Sequence, residues 1–270
     1  MKHESKDLDS LQSNLCLIWI LFSFIVNDGF SQADNEIQVY ASPTIGNKAT
    51  ITELHSNYTF NGSTFLLDPD DARWTNFTVE VTRGFAHNFE IGLYLFTAVS
   101  PDGSYQYLGN QIRPRVTVPE KWSWPFGASL SFELGFFRPD NESDYNWQGE
   151  IRPIIDKTVN NWYFSLNSNI EFALTGDDKN VGMAPQFKVM FAIKNAVGLG
   201  FEYYGYIGTF DEILPTEYQE HLIGPIFDLL VDPDWELNIG FLFGLTDNSN
   251  QEILKIIVGR RFGVQNTSQN

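Results

Sequence analysis

Ionisable side chains recur through this chain at positions flanked on at least one side by an apolar residue. They are Glu53 and His55, Glu80, Glu90, Arg113 and Arg115, Glu133, Glu150 and Arg152 with Asp156, Glu171, Lys188 and Lys194, Glu202, Glu236, and Lys255 and Arg261. Residues two apart on a strand share a face, so each set defines a charged face set against an apolar one. Two kinds of chemistry suit such a face. It can line a pore as an electrostatic filter, or it can pair internally and fill a closed interior. Arg113 and Arg115 are placed to pair with Glu133 on the next strand and to join Glu150 and Arg152 one strand further.

Catalytic chemistry is poorly served by the same residues. A hydrolase needs a nucleophile, a base and an orienting partner within hydrogen-bond reach. Beyond residue 33, the expected cleavage site, the candidate bases are His55, His87 and His221, and no spacing links them to the inward serines Ser129 and Ser131. No enzyme, cofactor or metal is expected. The acidic run Asp177, Asp178, Lys179 and Asn180 lacks the closing glutamate of a calcium loop and reads as a solvated loop. Asn57, Asn61 and Asn76 each head an Asn-X-Ser/Thr triplet and read as polar loop or lumen residues.

The elements that must carry these residues are strands of membrane-crossing length. In residues 234–246 the set Trp235, Leu237, Ile239, Phe241, Phe243, Leu245 alternates with Asp234, Glu236, Asn238, Gly240, Leu242, Gly244, Thr246. That is a period of two sustained over a length suited to a bilayer. Residues 127–138 oppose Leu130, Phe132, Leu134 and Phe136 to Ser129, Ser131, Glu133 and Gly135, and residues 160–174, 184–194 and 196–207 repeat the pattern. Charges on the apolar face would cost roughly 2–4 kcal/mol each at the bilayer midplane, so the charged face must be the interior. The fold class is therefore all-β, an antiparallel transmembrane up-and-down barrel. Twelve strands are predicted at 50–61, 73–83, 88–99, 104–118, 127–138, 146–156, 160–174, 184–194, 196–207, 221–230, 234–245 and 252–262.

An even count puts both chain ends on one side, the periplasmic one, with short turns there and longer loops outside. Residues 119–125 (PEKWSWP) are long for an inner turn, and Trp122 and Trp124 are expected at headgroup level. Net charge is −17 and aromatics make up 15% of the chain, a balance unsuited to a nucleic-acid partner and suited to aromatic girdles. Residues 15–26 (LCLIWILFSFIV) are too short to span as a helix and fit a signal-peptide core, with removal near Ala33. The single cysteine, Cys16, goes with it. Residues 1–33 are thus expected as a signal peptide, 34–49 as a periplasmic arm or an extra strand, 50–262 as the barrel and 263–270 as a tail.

Several segments resemble a family of Gram-negative outer-membrane barrels related to proteins encoded beside phenol-degradation enzymes. They are EIQVY (36–40), ELHSNYTFNG (53–62), FEIGLYL (89–95), GEIRPI (149–154), FGLT (243–246) and KIIVGRRF (255–262). The resemblance implies an outer-membrane location and a transporter-type barrel. One departure is that residues 263–270 follow Phe262, where the signal read by the barrel-assembly machinery normally ends the chain. The expected partners are outer-membrane lipids, that machinery and a small solute, to be tested first among apolar and aromatic compounds. The expected function is a passive channel with a charged lumen, against the alternative of a non-conducting structural or surface-interaction barrel.

Overall fold

The computed structural model describes residues 36–64, 73–138, 146–175, 180–194, 196–232 and 234–263. The predicted signal peptide, the acidic residues 177–179 and most of the tail lie outside the described residues. Among the described residues thirteen antiparallel strands form one sheet: β1 (Thr50–Asn61), β2 (Thr75–Ala86), β3 (Phe89–Val99), β4 (Tyr105–Thr117), β5 (Gly127–Phe137), β6 (Asn146–Val159), β7 (Trp162–Ala173), β8 (Val181–Ile193), β9 (Val197–Tyr206), β10 (Gly208–Thr209), β11 (Glu220–Leu229), β12 (Trp235–Gly244) and β13 (Glu252–Phe262). Each long strand pairs with its neighbours in sequence. The sheet closes where β1 meets β13, so the barrel has twelve long strands and no free edge there. The two-residue β10 folds the following loop back onto Met183 and Gly182 of β8.

Alternation fixes which face is which. In β5, Ser129, Ser131, Glu133 and Gly135 are buried while Leu130 and Phe132 are exposed, and β7 buries Ser165, Asn167, Asn169 and Glu171 against exposed Trp162, Phe164 and Leu166. The exposed side is an aliphatic belt through Leu54, Val79, Leu93, Ile112, Leu130, Leu166 and Leu199. Exposed aromatics bound the belt at both ends: Phe85, Trp122, Trp124, Trp162, Trp235 and Phe262 at one, Phe60, Tyr105, Trp147 and Phe243 at the other. That banding is the signature of a bilayer-spanning barrel. Trp122, Trp124 and Phe126 contact one another in succession, tilted and then edge-on, with centroids 6.2 Å and 5.6 Å apart, beside a single 3₁₀ turn (Glu120–Trp122).

Apart from residues 118–126, the turns at the end bearing residues 50 and 262 are short. Asn160, at φ 55°, supplies the left-handed residue that the tight β6–β7 turn requires. Lys194 also has positive φ, 51°, and lies exposed in the β8–β9 turn, so the expectation that it faces the interior is corrected. The strand had been expected to run through residue 194, whereas β8 turns one residue earlier.

Candidate functional site

The interior is occupied by the chain's own N-terminal segment. Residues 36–45, expected as a periplasmic arm or extra strand, pair with no strand and instead run among inward-facing side chains. The Tyr40 amide donates to Asn167 Oδ1 at 2.8 Å, and its carbonyl accepts from Ser165 Oγ at 2.7 Å and Asn167 Nδ2 at 3.0 Å. Ser42 donates through its amide and its hydroxyl to the two oxygens of Asp156, each at 2.7 Å, and the Ile45 amide donates to Glu90 at 2.7 Å. Polar backbone entering a barrel must find partners, and the polar inward face supplies them. The segment then reverses at Gly46 and rests on Gly84, where a Cβ would meet the Gly46 carbonyl at 1.8 Å.

Tyr40 is the hub. Guanidinium carbons of Arg113, Arg152 and Arg115 lie 4.7, 4.8 and 5.5 Å from its ring centroid, within cation–π range. Its hydroxyl meets Glu36, Tyr94 at 3.0 Å and Glu80 at 3.4 Å. Burial, reinforced by the Glu133 carboxylate, pushes the Glu36 carboxyl well above its ordinary range.

Each arginine carries its own carboxylates. Arg113 binds Glu80 at 2.5 Å and Glu90 at 3.3 Å, and also contacts Tyr94. Arg115 binds Glu90 at 2.5 Å and donates to the Ala41 and Pro43 carbonyls at 3.0 and 3.1 Å. Arg152 binds Glu150 at 2.5 Å, Glu133 at 3.5 Å and Glu36 at 3.6 Å. Across the barrel, Lys188 joins Glu202 at 3.2 Å and Asp228 at 2.6 Å, while Lys255 contacts Glu202, Tyr204 at 2.9 Å and the Ile37 carbonyl at 3.0 Å.

The expected pairing of Arg113 and Arg115 with Glu133 and Glu150 is therefore replaced by pairing in the opposite direction, toward β2 and β3. Register explains it. Glu90 sits directly opposite Arg115, and Gly92 opposite Arg113. With no side chain at Gly92, Arg113 crosses over it to reach Glu80 on the second strand away; a Cβ there would lie 3.2 Å from both Arg113 Nη2 and Glu80 Oε1. Glu133 and Glu150 face each other and share Arg152.

Of the residues expected on the charged face, Glu53, His55, Glu80, Glu90, Arg113, Arg115, Glu133, Glu150, Arg152, Asp156, Glu171, Lys188, Glu202 and Lys255 are buried. Glu236 is only part-buried at the barrel end, paired with Arg261 at 2.5 Å. His87 lies in the β2–β3 turn, and His221 contacts Tyr203 at 2.7 Å and Gln219 at 2.8 Å. Sequence reasoning missed the apolar interior. Ile37 and Val39 pack with Tyr204, Leu222, Leu242 and Ile253, and a second cluster joins Trp74, Tyr94, Phe96, Leu108 and Phe137. Leu242, standing alone among polar inward positions of its strand, was the signal. A cavity of about 520 Å³ remains at the end bearing residues 50 and 262, bounded by residues 38–45 and lined by Glu53, Glu80, Arg113, Lys188, Glu202, Asp228 and Arg261 among others.

No family model and no curated protein matches the chain in sequence. Solved structures do share its fold. The COG4313 outer membrane channel from Pseudomonas putida F1 aligns at 11% identity with a TM-score of 0.59, over 84% of this chain and 100% of that one. The KdgM porin aligns at 12% and 0.52, over 79% and 99%, and the NanC porin at 10% and 0.51, over 79% and 100%. At that identity the likeness is one of architecture: the chain is a closed twelve-stranded barrel of the outer-membrane type.

Proposed function

We propose that the protein is a passive outer-membrane channel for small solutes, its charged lumen narrowed by residues 36–45. The observation that carries this reading is the cavity of about 520 Å³, bounded on one side by a segment held largely through hydrogen bonds and ion pairs. Such bonds exchange with water at a net cost of about 0.5–1.5 kcal/mol each, or about 1.5–3 kcal/mol where a charged group takes part, so the segment is more readily displaced than an apolar core. Fold-sharing structures include porins and a channel, which supports the reading at the level of architecture. The sequence resemblance to phenol-pathway barrels makes small apolar or aromatic compounds the first cargo class to test.

The test is swelling of liposomes carrying the folded protein, with a size series of sugars, amino acids and small phenols. Graded uptake is expected. Absence of uptake by protein with verified heat-modifiable gel mobility would favour a second reading, a non-conducting surface barrel. The two interior apolar clusters favour that alternative, in which the acidic outer segment 208–220 meets partners.

A further inference from the structure

β1 carries Glu53 and His55 on its inward face, and the register sets Glu53 directly opposite Glu80 of β2. One donor atom from each of the three lies within 4.8 Å of the others. His55 is 1% exposed, yet neither of its ring nitrogens makes a hydrogen bond, and Glu53 Oε1 makes none either. A buried polar group left in that state costs about 1–3 kcal/mol, and two carboxylates facing each other across a strand pair repel. The charges nearby do not resolve the conflict. Glu80 Oε1 is held by Arg113 and Thr82, each at 2.5 Å, leaving Oε2, which the Tyr40 hydroxyl reaches only at 3.4 Å, turned toward His55 Nε2 at 3.7 Å. Arg113 is itself shared with Glu90, and among the described residues no lysine or arginine lies within ion-pair distance of Glu53.

We propose that Glu53, His55 and Glu80 bind a divalent transition metal of the zinc type, with its remaining coordination position open to the cavity. Three protein ligands plus an open position is a common arrangement for zinc. The imidazole selects for such ions over calcium and magnesium, which take oxygen ligands. Two carboxylates balance the charge of the dication. Arg113 and Thr82 become the outer partners that orient Glu80. Glu53 and Glu80 line the cavity, which gives the ion a route in. Metal–ligand bonds of about 2 Å hold any two ligands of one ion within about 4 Å, so rotation of the flexible glutamate side chains completes the site.

The experiment uses the folded barrel in detergent, stripped with chelator and dialysed against Zn²⁺. One ion per chain is expected, with His55→Gln and Glu53→Gln each weakening binding by more than about 100-fold, beyond the usual loss of an outer-shell partner. His221→Gln, away from the site, should bind as the parent does. Absence of stoichiometric binding overturns the proposal, as does binding that survives His55→Gln. Should the variants fail to fold, Co²⁺ added to the parent decides: visible absorption bands with imidazole coordination support the site, and their absence overturns it. A metal-free His55 imidazolium, seen by ring nitrogen NMR with both N–H groups present in the zinc-loaded sample, also overturns it.

Discussion

Truncating Tyr40 should release the segment that occupies the lumen. The ring is buried, flanked by three guanidinium groups at 4.7–5.5 Å, and its hydroxyl meets Glu36, Tyr94 and Glu80. Loss of a buried aromatic costs roughly 3–5 kcal/mol, a range that already contains the cation–π share of about 2 kcal/mol. At 1.4 kcal/mol per tenfold, Tyr40→Ala should raise the displaced population by about 100- to 1,000-fold or more. A Gln38→Cys reporter measures this directly, because the only native cysteine, Cys16, precedes the expected cleavage site. When the segment opens and closes faster than a thiol reagent reacts, labelling rate follows the open population. Labelling should accelerate by that factor in Tyr40→Ala, and bilayer conductance should rise with it. Tyr40→Phe keeps the ring and loses only the hydroxyl contacts, for about 1–3 kcal/mol, so it should fall between. A labelling rate in Tyr40→Ala within tenfold of the parent's would refute the reasoning, whatever the absolute stability of the seated state.

Three further outcomes are expected. Gly92→Ala puts a Cβ 2.8 Å from Thr82 Oγ1 and 3.2 Å from the Arg113–Glu80 contact, and should cost about 1–3 kcal/mol in urea unfolding of the folded barrel. Leu93→Arg puts a charge on the lipid belt, where Leu93 is 55% exposed, and should lower folding stability in vesicles by roughly 2–4 kcal/mol with little change in detergent. Glu36 offers a pH test: its carboxyl is raised in the seated state, so that state binds the extra proton. Seating is then favoured below the ordinary carboxylate pKa and weakens as pH rises toward the raised value. Conductance should increase from acid to neutral pH, and Glu36→Gln should flatten the profile.

Most strand positions were legible because the bilayer imposes a strict rule. A charge on the wrong face is costly, so alternation in segments such as 127–138 and 234–245 leaves one acceptable register. The destination of residues 36–45 was not legible, since a segment without alternation declares neither strand nor lumen. Its partners, Asp156, Ser165 and Asn167, read in sequence as ordinary lumen residues, and only the fold joins them to Tyr40 and Ser42. Pairing partners of the arginines were likewise hidden. Strand order makes Glu133 a neighbour of Arg113, but only the register reveals that Gly92 opens a path the other way.

The way the segment is held argues for release in two steps rather than one. Ile37 and Val39 sit in an apolar cluster with Tyr204, Leu222, Leu242 and Ile253, and fully burying such side chains contributes about 1.5–3 kcal/mol each, which water cannot replace. Residues 41–45 are anchored differently, through Arg115 to two carbonyls, Ser42 to Asp156 and the Ile45 amide to Glu90, all contacts that water can substitute. Arg115 and Asp156 would also regain hydration on release, lowering the cost of separation. Motion should therefore begin at residues 41–45, beside the cavity, and reach residues 36–39 only when the apolar anchor gives way. Tyr40 lies at the junction of the two regimes, which is why its truncation, rather than that of Ser42 or Ile45, is the perturbation that couples them.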